Sequence, residues 1–86
     1  MTPSEAILVL TNARDARDRY AAADDEAAYM YEAAANADGV GHERRGFALD
    51  TALRFAERAK KSRRLSEALT VAIAHLPAIE LTKELA

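Results

Sequence analysis

Apolar and small residues recur along this chain at intervals of three and four, the spacing of one face of an α-helix. In the first half Leu10, Ala13, Ala16, Tyr20, Ala23, Ala27, Met30, Ala34 and Ala37 keep that spacing, and all are apolar. In the second half Ala48, Ala52, Phe55, Ala59, Ser62, Ser66, Leu69, Ile73 and Leu76 do the same, each apolar or small. Such spacing sustained over many turns is the mark of helices packed as in a coiled coil. The pattern predicts two long helices whose seams face each other.

The boundaries are also readable. Thr2, Pro3 and Glu5 form a T-x-x-E capping box with proline at the first helical position, where its missing N–H costs nothing. No glycine or proline follows until Gly39, so the first helix is expected over about 3–37. Asp38-Gly39-Val40-Gly41 supplies a turn at 38–41, with Gly39 suited to a left-handed cap. A second helix is expected over about 42–76, ended or bent by Pro77, with a short C-terminal segment at 77–86. The result is a single all-α domain, a long antiparallel helical hairpin. The apolar face around Leu65 to Leu76 is rotated from that of Ala48 to Ala59, which predicts a break near 60–64 and a three-helix alternative. An antiparallel register that sets Tyr20 opposite Ala59 and Leu10 opposite Leu69 also places Asp15 near Arg64, Asp18 near Lys61 and Asp25 near Arg54.

Composition sharpens this picture. Of 86 residues, 21 are alanine, none is cysteine, and glycine and proline number 3 and 2. Few β-branched and turn residues argue against a sandwich or barrel. Without cysteine there is no disulfide framework and no thiolate metal site. The net charge of −2 is unevenly spread: residues 1–40 are acidic and residues 41–66 basic, so the arms can neutralise each other. No apolar run approaches the roughly 20 residues of a membrane span, and the start lacks the basic flank of a signal peptide. A cytoplasmic protein with no membrane partner is expected.

An alanine seam buries little area, and at roughly 25 cal/mol per Å² it stabilises two long helices only modestly. The large apolar residues cluster elsewhere. Ile7, Leu8, Val9 and Leu10 are consecutive and point all around the helix; in the hairpin they lie beside Leu69, Val71, Ile73 and Leu76. A helix apolar on every side must be covered on every side. These eight residues are the expected oligomer interface of a homodimer, a four-helix bundle of two hairpins. Ile79, Leu81 and Leu85 would add cover. A monomeric three-helix bundle is the alternative.

Two surfaces could carry function. Asp18, Asp25, Tyr29 and Glu32 share one side of the first helix, and an exposed tyrosine among carboxylates suits a protein partner. Arg54, Arg58, Lys60, Lys61, Arg63 and Arg64 form a basic segment that could follow a nucleic-acid backbone. Its charges spread around the helix without interleaved aromatics, so nucleic acid is the second choice.

Catalytic chemistry has no foothold. Position 72, three before His75, is alanine, so no Glu-x-x-His pair forms. Asp24, Asp25 and Glu26 diverge around the helix, and His42 and His75 fall at opposite ends of the hairpin. No serine or threonine sits in a nucleophile motif, and Gly39-Val40-Gly41 lacks the lysine and strand of a phosphate loop. The expectation is a non-enzymatic, self-associating adaptor, assembly factor or modulator that needs no metal or cofactor. Its size and composition suit a bacteriophage or another mobile element.

Overall fold

The computed structural model describes the backbone of residues 1–85 and the side chains of residues 1–76. Two helices, α1 (Pro3–Ala35) and α2 (His42–Leu85), pack against each other as an antiparallel hairpin. The capping box forms as predicted. Thr2 Oγ1 accepts from Glu5 N–H at 3.2 Å, and Glu5 Oε2 accepts from Thr2 N–H at 3.4 Å. At the far end Gly39 takes φ +80°, the left-handed region that an L side chain enters at a cost. Asn36 N–H bonds back to Glu32 C=O at 3.1 Å, and α2 begins with Arg45 N–H on Gly41 C=O at 3.0 Å.

Arg45 also closes the corner. Its Nε donates to Ala35 C=O at 3.1 Å, so a cation from α2 satisfies a carbonyl that the end of α1 leaves unpaired. The hairpin is a rod of 69 × 14 × 14 Å with a radius of gyration of 19.6 Å. A compact chain of this length would have about 12 Å.

The seam in α2 follows the sequence pattern at every position. Ala48, Ala52, Ala59, Ser62 and Ser66 are buried, and Phe55, Leu69, Ile73 and Leu76 are half-buried. The 3-4 spacing runs unbroken through 60–64, which lie inside one helix, so the predicted break is absent. The apparent rotation came from Leu65 and Val71, which are exposed beside the seam and not part of it. Pro77 falls within the bounds of α2, not after them. A proline costs a helix one hydrogen bond and does not by itself forbid it. The cover expected from Ile79, Leu81 and Leu85 lies outside the described side chains.

In α1 the seam is displaced by one residue from the predicted one. The buried positions are Ala21, Asp24 and Ala35, with Ile7, Leu10, Arg14 and Ala28 half-buried. The predicted stripe is mostly exposed: Ala13, Tyr20, Ala23, Met30, Ala34 and Ala37 lie outside the buried seam. Specific contacts outweigh apolar periodicity here. Tyr31 stacks on Phe55 with ring centroids 5.7 Å apart. Ser66 Oγ donates to Asp18 Oδ1 at 2.6 Å, and Arg58 approaches the buried Asp24 carboxylate at 3.7 Å.

These contacts also correct the register. Asp25 meets Arg63 instead of Arg54, Asp18 meets Ser66 instead of Lys61, and Asp15 pairs with its neighbour Arg14 instead of Arg64. α2 is slid by more than a helical turn. Alanine layers look alike after such a slip, so only the larger contacts can choose among them.

Candidate functional site

Two sides of the rod differ in chemistry because the seam leaves different residues at its margins. On one margin Asp18, Asp25, Tyr29 and Glu32 project from α1, as the sequence predicts for one face. Asp18 and Asp25 are turned to α2. Asp25 accepts two hydrogen bonds from Arg63, through Nη1 at 2.5 Å and Nη2 at 3.4 Å. The hydrogen bond and then the charge of Asp25 raise the Arg63 guanidinium above its ordinary value. Tyr29, 72% exposed, and Glu32 are open to solvent. Glu32 also borders a shallow groove lined by Ala28, Leu49, Ala52, Leu53 and Ala56. The exposed Leu49 and Leu53 of this groove carry no mark in the sequence pattern, because they fall outside the seam spacing.

The basic segment is largely engaged within the chain. Arg54 pairs with Asp50 at 3.1 Å, Lys60 with Glu57 at 3.6 Å, Arg58 with Asp24 and Arg63 with Asp25. Among the described residues Lys61 and Arg64 have no ion pair. The six cations therefore do not form one continuous free stripe. Arg58 and Lys61 line a shallow depression with Arg17, Tyr20, Asp24 and Leu65, over which Arg17 sits 5.8 Å from the Tyr20 ring.

The eight residues expected at an oligomer interface divide into two groups. Ile7, Leu10, Leu69, Ile73 and Leu76 are half-buried between α1 and α2, and Leu8, Val9 and Val71 are exposed. His42 opens α2 in solvent, and His75 is exposed near the other end.

The margin of α1 opposite the acids holds the most continuous apolar surface. Ala6, Val9, Ala13, Ala16, Tyr20, Ala23, Ala27, Met30 and Ala34 occupy every step at spacings of three and four, and all but the half-buried Ala6, Ala16 and Ala27 are exposed. Val9, Tyr20 and Met30 are each more than half exposed on it. From Ala13 to Ala34 it coincides with the stripe that the sequence pattern predicts as the seam with α2, whereas Leu10, the first residue of that pattern, stays half-buried in the seam.

Among the described residues no helix is long and apolar enough to cross a membrane. No family model matches the chain, and neither a curated protein nor a solved structure is similar to it.

Proposed function

We propose that this protein is a small non-enzymatic helical module that associates with a second copy of itself and binds another protein, as an adaptor, assembly factor or modulator. One observation carries this reading: among the described residues no large side chain is fully buried, and twelve large apolar residues are exposed. The surface of 6626 Å² makes the same point. A compact chain of this mass would expose about 5,000 Å². The surplus is about twice what a standard interface removes from one partner, enough for a second copy and a further protein. Tyr29 and Glu32, beside the Leu49–Leu53 groove, are the surface we assign to that further protein. The engagement of Arg54, Arg58, Lys60 and Arg63 with nearby carboxylates supports the protein reading over nucleic acid.

Light scattering after gel filtration tests the first half. A two-chain species at micromolar concentration is expected, and a single chain of 9.4 kDa would overturn it. Affinity capture with Tyr29→Ala tests the second half; the variant should lose a partner that the unaltered protein retains. Binding to DNA or RNA that falls steeply with salt and vanishes with alanine at Arg58, Lys61 and Arg64 would favour a nucleic-acid regulator instead.

A further inference from the structure

We infer that the exposed apolar face of α1 is the homodimer interface, and that α1 packs on it antiparallel to α1 of a second copy. This rests on the self-association proposed above and specifies its face, direction and register. The face runs from Ala6 to Ala34, roughly 42 Å at 1.5 Å per residue. It contains no charge and no hydrogen-bonding group except the Tyr20 hydroxyl.

Side-chain volume selects the direction. In a parallel pair like would meet like: Tyr20 on Tyr20, Met30 on Met30, with alanine on alanine between them. Such layers alternate between crowded and empty at one helix spacing, which sacrifices close packing. In an antiparallel pair centred between Tyr20 and Ala23, Tyr20 meets the partner's Ala23, Met30 the partner's Ala13, and Val9 the partner's Ala34. Ala16 meets the partner's Ala27. Every large residue then packs on alanine, and no layer holds two large ones.

Charge selects the register. Arg19 and Glu26 lie two turns apart on one margin of this face, and among the described residues neither has an ion pair within the chain. In the centred register Arg19 faces the partner's Glu26, and symmetry makes the contact twice. A slip of one heptad in one direction sets Arg19 against the partner's Arg19. A slip in the other sets Glu26 against the partner's Glu26. Like charges oppose both errors, so attraction and repulsion favour the same alignment. The second copy is thus recognised by volume and charge together.

Because the chain has no cysteine, single cysteines can report the alignment. Ala16→Cys and Ala27→Cys chains, mixed and oxidised with glutathione disulfide, should form a disulfide-linked mixed dimer. Neither should cross-link with itself, since position 16 lies roughly 16 Å along the axis from the partner's position 16. A disulfide needs Cα atoms within about 7 Å. Arg19→Glu and Glu26→Arg should each weaken self-association about tenfold, by turning attraction into repulsion, and the double variant should restore it. Self-linking of Ala16→Cys would overturn the antiparallel direction. A two-chain species that forms no 16–27 link would overturn this face while leaving self-association intact. A single chain at all concentrations would overturn both.

Discussion

The seam between α1 and α2 and the free face of α1 make an instructive pair. The seam contains Arg14, Asp24, Ser62 and Ser66 among its alanines, yet it is the face that packs within the chain. The free face is apolar at all nine positions from Ala6 to Ala34, and six of them are exposed. The seam is held by particular partners, such as the Tyr31–Phe55 stack and the Ser66–Asp18 hydrogen bond. Those contacts bind one register of the hairpin and tolerate polar groups because each polar group is satisfied; no buried side-chain donor or acceptor is unpaired among the described residues. An apolar face without such partners carries less information about which neighbour it belongs to. The contrast teaches that the most regular stripe of a helix need not be the one its own chain uses.

Three changes would break or sharpen that contrast. The largest effect is expected from Ala59→Leu, at a seam position with no exposed surface. Three added heavy atoms would have to force the arms apart, at a cost of roughly 1–3 kcal/mol. Thermal melting followed by circular dichroism should show the loss at every protein concentration. Next comes Ala23→Glu, close to the centre of the free face. Melting of the unaltered protein should shift upward with concentration, because association stabilises the folded chain. The variant should lose that concentration dependence, and a retained shift would place the interface elsewhere. The smallest effect belongs to Gly39→Ala. The added methyl meets open space, so the cost is that of the left-handed backbone alone, about 1 kcal/mol. It should lower the melting point and leave association through the free face intact.

Much of the fold was legible in the sequence because its signals are local. The capping box at Thr2, the left-handed glycine at 39 and the α2 seam from Ala48 to Leu76 depend on residues near one another in the chain. The α1 seam was misplaced by one residue because alanine occurs on several sides of that helix. Asp24 and Arg14 read as solvent-facing until the side chains opposite are known. The register was lost for a related reason, since layers of alanine carry no mark that tells one turn from the next. Of the candidate surfaces, the acidic margin was visible as a set, but the engagement of Asp18 and Asp25 depends on where Ser66 and Arg63 arrive. Arg45 had no signal at all; its bond to Ala35 exists only once the turn has brought the two helix ends together.

The proportions of the rod govern how the protein behaves in solution. With a radius of gyration of 19.6 Å, one copy sweeps out the space of a compact chain of roughly 300 residues. It therefore travels through a porous matrix ahead of globular proteins of its own mass, and elution position alone cannot count the copies. Lateral pairing along α1 in the centred register would double the width of the rod and lengthen it by only about a quarter. The scattering mass would double while the radius of gyration rose slightly, a signature that end-to-end joining cannot imitate.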